Sequence, residues 1–332
     1  MPSSAVHTFT DSDDYGAWIR GANAELTVAE PGRFTGKLIR IDLHRLWMQR
    51  FSDNLPRIAH TAHLPGRTFI TFRTEPGPSL LAGGLEMYPT NIVRHSDADA
   101  YHQRSSGSAN FAAISLPVAD MVSVGAAIAG FDLTPPKDAL TLTPSPSAMA
   151  KLQRLHAAAG RLAEDAPEII AHPEAARGLE QALIEAMVGC LSGGSVREER
   201  LALRHHSLIM RRFRRAVEED PDQPLYIPEL CAAIGVSDRT LRLSCQEQLG
   251  MSPKRYLLLR RMHFARRALR DGSPGTTTVT EIAAQYGFWQ FGRFAGEYRS
   301  LFEGSAVRYP PLPAGSSDWR RHLVFCLCAK SE

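Results

Sequence analysis

The sequence predicts an α+β protein, with an antiparallel β-rich N-terminal domain and an all-α C-terminal domain. Three observations predict this fold class. Short β-branched and aromatic runs separated by turn residues fill the first third of the chain, and apolar residues at helical spacing follow them. A helix–glycine–helix pattern then occurs twice near the end. At 332 residues, the chain is long enough for two domains of ordinary size.

The region from Leu26 to Met121 has the pattern of β-strands. Its runs "GKLIRIDL", "RTFITF", "LAGGLEMY" and "NFAAISL" are short, partly alternating, and separated by turns such as "LPGR" and "TEPGPS". Many short strands at modest spacing favour an antiparallel barrel or sandwich. The Pro/Thr/Ser-rich stretch 133–147 after them predicts a loop or linker.

Helical spacing begins after this linker. The segments "AMAKLQRLHAAAGRLAED" and "HPEAARGLEQALIEAMVGCL" predict two helices, the second beginning near Pro173. "SGGS" (192–195) interrupts the pattern, and a longer helix follows. Its expected apolar stripe is Leu201, Leu208, Ile209, Phe213 and Val217.

The net charge of +3 hides an asymmetry between the two parts of the chain. Residues 1–196 hold 16 Lys/Arg and 20 Asp/Glu, whereas residues 197–309 hold 19 and 13. A basic second part is typical of proteins that bind a polyanion, and chance surface variation is the alternative.

Cysteine usage and the N-terminal sequence indicate the compartment. The five cysteines have irregular spacing, which argues against a disulfide framework and fits a reducing cytoplasm. The first residues show no signal-peptide pattern, and no apolar run is long enough to span a membrane. We therefore expect a cytoplasmic protein without a membrane partner.

A repeat with an offset of 52 residues is the most informative motif. "ELCAAIGV" begins at Glu229 and "EIAAQYGF" at Glu281, and each precedes a second helical segment. Helix, glycine turn, helix is the helix-turn-helix plan, and two in tandem are far more specific than one. Small residues are expected where the paired helices cross, and the candidates are Ala232, Ala233, Ala283 and Ala284.

Each second helix has one apolar and one polar face. In the first, Leu241, Cys245 and Leu249 follow at i, i+4 and i+8, and Ser237 is placed to cap the helix. A long helix beginning at Pro253 joins the two motifs. A rigid connection would let the two second helices enter successive major-groove turns about 34 Å apart.

Residues from about 204 to 309 resemble the DNA-binding domain of the AraC/XylS family of bacterial transcription regulators. The resemblance is carried by "IPELCAAIGVSDRTL", "LGMSPKRYLLLRRMHFARRAL" and "VTEIAAQYGFWQFGRFAGEYRSLF". It implies double-stranded promoter DNA as the partner, and an N-terminal domain that senses or dimerises, often a cupin-like barrel followed by helices. The sequence departs from the family at Cys245, where an aromatic residue is usual, and near Ala306, where a proline is usual.

The resemblance sets the expected domain limits and partners. We expect a β-rich sensing domain (1–135), a linker with a helical dimerisation segment (136–196), the DNA-binding domain (197–312) and a tail of unassigned role (313–332). The expected function is that of a DNA-binding regulator, an activator by family habit, associated with the nucleoid. Its expected partners are a second copy of the chain, a small-molecule effector and RNA polymerase. The alternative is a dimeric regulator that binds no ligand.

The candidate DNA-binding residues lie on the second helix of each motif and at the start of the connecting helix. Arginine can bond bidentately to guanine, and glutamine to adenine, so Arg239, Arg242, Arg293 and Gln290 are candidate base contacts, the alternative being solvated surface residues. Trp289 is left open between a thymine or sugar contact and packing. The full set is Ser237, Asp238, Arg239, Arg242, Lys254, Arg255, Trp289, Gln290 and Arg293.

No catalytic site, metal site or cofactor is predicted. His60 and His63 do not have the spacing of a cupin metal site, and His95 and His102 fall in a stretch that looks polar and loop-like. Neither a nucleophile elbow nor a Gly-rich phosphate loop occurs in the sequence. We therefore expect the protein not to be an enzyme, the alternative being a metal-dependent cupin enzyme fused to a DNA-binding domain.

Overall fold

The computed structural model describes residues 1–97, 100–196, 201–219, 225–271 and 278–302, with side chains outside the description at 196 and 201–205. These residues divide into two compact units. The first comprises Met1–Leu26 and the described residues from 34 to 204. The second comprises Thr27–Arg33 and the described residues from 205 onward. The predicted tail (313–332) and Ala306 lie outside the described residues.

The strands are, in chain order, β1 (Ser3–Phe9), β2 (Ala22–Val28), β3 (Gly36–Asp42), β4 (Trp47–Asp53), β5 (Arg57–His63), β6 (Arg67–Arg73), β7 (Leu80–Ala82), β8 (Leu85–Glu86), β9 (Ile92–Arg94), β10 (Ala100–Ser105), β11 (Ala109–Pro117), β12 (Leu140–Thr143) and β13 (Ser195–Val196).

The α-helices are α1 (Ser12–Ala17), α2 (Val118–Val124), α3 (Pro146–Asp165), α4 (Pro167–Ala171), α5 (Pro173–Ser192), α6 (Leu201–Glu219), α7 (Ile227–Ile234), α8 (Asp238–Leu249), α9 (Pro253–Asp271), α10 (Val279–Gln285) and α11 (Phe291–Phe302). None of these helices is long and apolar enough to cross a membrane.

The strands form two open antiparallel sheets rather than one closed barrel. The first sheet has the order β1-β3-β4-β11-β6-β9-β12-β13, and the second has the order β2-β5-β10-β7-β8. In the first sheet, Phe111 of β11 lies opposite Phe51 of β4, and the two rings stack with centroids 4.4 Å apart. The α+β fold class with an antiparallel β-rich domain is therefore confirmed.

Alternation along the strands gives the first sheet two buried faces. Met48, Ile70 and Ile114 belong to the hydrophobic core that also includes residues of α3 and α5. Their neighbours in sequence, including Gln49 and Thr71, instead line a cavity toward the second sheet. Because successive side chains point to opposite faces of a strand, both faces can be apolar only where both are covered.

Two long helices cover the outer face of the first sheet, as helical spacing predicted. α3 begins at Pro146 after Ser145, whose hydroxyl accepts the Ala148 N–H, and α5 begins at Pro173. A proline suits the first turn because its missing N–H would have no helical partner there. On α5, the buried Glu180 carboxylate accepts the backbone N–H groups of Arg45 and Leu46 at 2.6 and 2.9 Å.

Some strand predictions were incomplete or wrong. The predicted linker 133–147 contains strand β12, which pairs with β9 and extends the first sheet. β1, β4 and β5 were not singled out, because polar residues such as Gln49, Arg50 and His60 interrupt their apolar pattern. The run Leu81–Tyr88, predicted among the strands, includes the end of β7 and all of β8, which are joined by Gly83 and Gly84 in left-handed conformations.

The helices of the second unit pack around two groups of apolar side chains. Ile209, Phe213 and Val217 of α6 are buried, as predicted, whereas Leu208 is 38% exposed. The predicted inward positions Leu241, Cys245 and Leu249 of α8 are no more than 1% exposed. The core of the second half includes Met262 of α9, Ala283 of α10, and Phe294 and Phe302 of α11, together with Phe288 from the turn between α10 and α11.

Candidate DNA-binding interface

The sequence repeat is also a repeat of backbone geometry. Gly235 and Gly287 close their helices with φ of +76° and +75°, in the left-handed region that favours glycine. The Val236 N–H donates to the Cys231 carbonyl at 3.1 Å, and the Phe288 N–H donates to the Ala283 carbonyl at 2.9 Å. Both bonds span five residues, as in a Schellman helix end. The two turns therefore share the left-handed glycine and the five-residue bond at the 52-residue offset, while the Gly235 N–H donates to the Cys231 carbonyl and the Gly287 N–H to the Ala284 carbonyl.

The glutamates that open the repeat stabilise the start of each first helix. The Glu229 carboxylate accepts the Tyr226 N–H at 3.3 Å, and the Glu281 carboxylate accepts the Thr278 N–H at 2.7 Å. In the second motif the Thr278 hydroxyl also accepts the Glu281 N–H, which completes a capping box. The hydrogen bonds from Thr278 lower the pKa of Glu281.

The two second helices differ in register by one residue. α8 begins two residues after Val236, and α11 begins three residues after Phe288. The first helical hydrogen bonds are Leu241 N–H to Ser237 carbonyl and Phe294 N–H to Gln290 carbonyl. Equivalent positions of α8 and α11 are therefore 53 residues apart, one more than the offset of the preceding turns. The additional residue places Trp289 just before the helix, where it is 79% exposed.

The predicted contacts of α8 lie on its exposed face. Ser237 caps the helix, because its hydroxyl accepts the Thr240 N–H at 3.2 Å. Arg242 binds Asp238, one turn earlier, through Nε at 2.9 Å and Nη2 at 2.8 Å. Arg239 is exposed and makes no ion pair within the described ranges. Arg239 is thus an available cation, and Arg242 is held by a carboxylate.

The predicted contacts of α11 and α9 are exposed as well. Gln290 and Arg293 are exposed, and Arg293 Nε binds the Glu297 carboxylate at 2.8 Å, one turn later. Lys254 and Arg255 are exposed on the first turn of α9. All nine predicted residues are therefore exposed, at the starts of α8, α9 and α11, and their contacts with DNA stay a prediction.

Three arginines of the run on α6 have partners within the second unit. Arg212 Nη1 donates to the Ile234 carbonyl at 3.3 Å, at the end of α7. Arg214 and Arg215 form ion pairs with Glu218 and Glu219, one turn later.

The structure corrects one expectation about packing and shows where Trp289 lies. Ala232, Ala233 and Ala284 are exposed, so of the four alanines only Ala283 is buried. The position equivalent to Ala283 in the first motif is Cys231, which is partly buried. Trp289, left open between packing and a DNA contact, is 79% exposed and does not belong to the buried core of the described residues.

Two residues of the exposed helix faces were not singled out from the sequence. Leu243 on α8 is 54% exposed, next to Arg242 and four residues after Arg239. Leu243 falls outside the series of buried positions Leu241, Cys245 and Leu249. This spacing in the sequence could have predicted that Leu243 is exposed. Glu297 was not singled out because a carboxylate four residues after Arg293 does not by itself indicate a function.

The histidines of the first unit lie deeper than predicted. His95 and His102, expected in a polar loop-like stretch, are 1% and 5% exposed, and His102 belongs to β10. The rings of His63 and His95 lie 4.8 Å apart, and those of His60 and His102 lie 5.6 Å apart. In the described part of the chain, no group of three or more His, Cys, Asp or Glu residues is arranged to hold a metal ion.

Comparison with known proteins identifies the class of the C-terminal segment. Residues 230–309 match the family model described as a helix-turn-helix domain. Over 86 residues the chain is 42% identical to the probable thc operon regulatory protein of Rhodococcus erythropolis. Over 86 residues it is 35% identical to the XylDLEGF operon transcriptional activator of Pseudomonas putida. The C-terminal segment is therefore an AraC/XylS-type helix-turn-helix domain.

These matches cover 26% of this chain and 26% and 27% of the two curated relatives. Among solved structures, the AraC-like transcriptional activator CuxR aligns with a TM-score of 0.40 and 12% identity, over 79% of this chain and 95% of that chain. ToxT from Vibrio cholerae aligns with a TM-score of 0.26 and 12% identity, over 87% of this chain and 98% of that chain.

Proposed function

We propose that this protein is a sequence-specific transcription regulator that binds double-stranded promoter DNA through α8 and α11. The supporting observation is the pair of equivalent helix-turn-helix motifs, each with exposed polar groups on the first turns of its second helix. Such turns are where helix-turn-helix proteins contact base edges in the major groove. The basic balance of residues 197–309 supports attraction to the phosphates of DNA.

The proposed residue roles follow from exposure and chemistry. Arg239 and Arg293 contact guanine or phosphate, and Gln290 contacts adenine. Arg242 contacts DNA either after its ion pair with Asp238 breaks or while it still binds Asp238. Lys254 and Arg255 contact phosphate, and Ser237 fixes the start of α8. Trp289 contacts a thymine methyl group or a sugar.

The wider function is proposed from the two-unit layout. The first unit senses a small molecule, dimerises, or does both, and the second unit binds DNA. Activation is proposed because the Pseudomonas putida relatives are described as activators. That activity requires RNA polymerase as a partner, and it places the protein on DNA in the cytoplasm. We propose no enzymatic role for either unit.

Genome-wide mapping of bound sites in the source cell, followed by gel-shift titration at fixed salt, tests this proposal. The expected result is a set of discrete sites with a shared sequence, bound by purified full-length protein more tightly than scrambled controls. An Arg239→Ala/Arg293→Ala variant should lose most of this preference, while Arg215→Ala, on α6, should retain it. Equal affinity for mapped and scrambled DNA would overturn the proposal.

A further inference from the structure

Leu243 is an apolar side chain on the otherwise polar face of α8. The buried residues of this helix are Leu241, Ser244, Cys245, Gln248 and Leu249. Because successive residues of an α-helix lie about 100° apart, Leu243 projects almost directly away from this buried series. Its side chain is 54% exposed, whereas Leu241 and Leu249 are no more than 1% exposed. Packing within the second unit therefore does not explain a leucine at this position.

The surface neighbours of Leu243 on α8 are all polar. Residues three or four positions apart are neighbours on a helix, and those of Leu243 are Arg239, Thr240, Gln246 and Glu247. The Glu247 carboxylate contacts the His206 ring of α6 and is therefore turned toward α6. Arg239, Leu243 and Gln246 are exposed and form one strip along the helix, in which Leu243 is the apolar member.

The place of Leu243 limits what it can contact. A single exposed leucine is common on protein surfaces, so its exposure alone indicates no function. In the major groove, base edges present hydrogen-bond donors and acceptors, and the 5-methyl group of thymine is their apolar group. A donor or acceptor pressed against leucine loses its water without gaining a partner, whereas a methyl group is favourably buried there.

We propose that Leu243 contacts the 5-methyl group of a thymine and thereby selects a thymine–adenine pair in the part of the DNA site that α8 contacts. This inference rests on the proposed function, in which α8 lies in the major groove, and it specifies one base pair of the preferred sequence. Arg239, one turn earlier on the same strip, supplies affinity through its charge, and Leu243 supplies discrimination between bases.

The second motif has no side chain equivalent to Leu243. Because equivalent positions of α8 and α11 are 53 residues apart, the counterpart of Leu243 is Gly296 and that of Arg239 is Gly292. Gly296 is exposed, and a Cβ atom placed on it would meet no atom of the described residues within 4 Å. The methyl contact of Leu243 therefore belongs to the part of the DNA site that α8 contacts and has no copy in the part that α11 contacts.

Replacement of single thymines by uracil in duplex DNA tests the proposal, because uracil lacks the 5-methyl group and keeps the hydrogen-bonding groups of thymine. The probe is the tightest-binding duplex that the full chain selects from a random-sequence library. Fluorescence anisotropy at fixed salt measures its affinity. One uracil substitution should weaken binding by the unaltered protein about fourfold, as loss of one buried methyl group does. The Leu243→Ala variant should bind the thymine and uracil duplexes equally at that position.

Two further variants control for indirect effects. Leu243→Met keeps a flexible apolar side chain, so it should still prefer thymine at the same position. Leu208→Ala removes a leucine that is 38% exposed on α6, and it should keep the full preference. Leu243→Ala itself should remain folded, because the leucine is exposed and alanine is the best helix former.

Three outcomes would overturn the proposal. If Leu243→Ala kept the thymine preference of the unaltered protein at every position, another residue, such as Trp289, would make the methyl contacts. If the unaltered protein bound uracil and thymine duplexes equally at every position, no methyl group would be contacted. If the full chain selected no duplex over random DNA, the proposed function would fail as well, so binding to the unsubstituted duplex distinguishes the two failures.

Discussion

Asp238 holds both Nε and Nη2 of Arg242 on the first turn of α8, with separations of 2.9 and 2.8 Å. Both side chains are largely exposed, at 48% and 66%, so the pair lies in solvent on the face proposed to contact DNA. The carboxylate orients the guanidinium but also brings a negative charge toward the phosphates. On the face proposed to contact DNA, we therefore expect the Asp238 charge to weaken binding and its ion pair to fix one orientation of Arg242, although the sequence predicted Asp238 among the DNA-binding residues.

Asp238→Asn is expected to strengthen DNA binding by about 1 kcal/mol, roughly fivefold, because it removes this charge and releases Arg242. Helix stability should fall slightly, since an acidic residue in the first turn favours the helix dipole. Fluorescence anisotropy at fixed salt measures the affinity. The matched control is Glu219→Gln, which breaks the equivalent pair with Arg215 on α6 and should change nothing. Weaker binding by Asp238→Asn would show that orientation of Arg242 matters more than charge.

Arg239→Ala and Arg293→Ala are each expected to weaken binding to a mapped site by about 1–3 kcal/mol, because each removes a base or phosphate contact. Titrations at several salt concentrations separate these roles. Loss of a phosphate contact lowers the salt slope by about 1, whereas loss of a base contact leaves the slope nearly unchanged and relaxes specificity. Arg215→Ala, 83% exposed on α6, is the control. Unchanged affinity at fixed salt would remove the arginine concerned from the interface.

The adjacent residues Trp289 and Phe288 should separate binding from stability. Trp289→Ala is expected to reduce DNA affinity with little change in the free energy of unfolding, since this side chain is 79% exposed. Phe288→Ala should cost about 3–5 kcal/mol of stability, because Phe288 is 8% exposed and packs 4.7 Å from Phe294. Urea denaturation and gel-shift titration measure the two quantities. A stability loss in Trp289→Ala comparable to that in Phe288→Ala would contradict this division.

Local sequence patterns predicted the helix-turn-helix motifs of the second unit well because their determinants are local. A glycine that ends a helix, an N-cap serine and an i, i+4 apolar series each act within a few residues, so Gly235, Ser237 and Leu241 have the predicted conformation or burial. The one-residue difference in register was missed, because an alignment at the 52-residue offset continues through Trp289. That difference depends on where α11 begins, which the glycine alone does not fix.

The first unit was less predictable because its determinants are not local. β4 carries polar residues whose partners lie far along the chain, as His156 of α3 does for Arg50 of β4. The sequence pattern of such strands resembles that of a loop. The cavity depends on side chains from six strands and on α1, so spacing in the sequence gave no signal for it.

His156 should make the first unit sensitive to acid. It is fully buried on α3, where one ring nitrogen lies 3.3 Å from the Gln49 carbonyl and the other 3.5 Å from Arg50 Nη1. Desolvation, followed by the Arg50 charge, lowers the pKa of His156 from 6.5 to about 3. The folded unit therefore keeps this ring neutral, while the unfolded chain binds a proton below about pH 6.5.

Because the unfolded state binds the additional proton, the contribution of His156 is fully present above pH 6.5 and decreases as the pH falls toward 3. The expected slope is about 1.4 kcal/mol per pH unit in the free energy of unfolding. Urea denaturation at pH 7, 6 and 5 measures this slope. The His156→Gln variant can keep a hydrogen bond to Gln49, but its side chain does not titrate. We expect this variant to be less stable at pH 7 and its slope to be shallower by about 1.4 kcal/mol per pH unit. Equal slopes for the two proteins would mean that the imidazole is protonated in the folded state, in contact with Arg50, which the geometry of the site opposes.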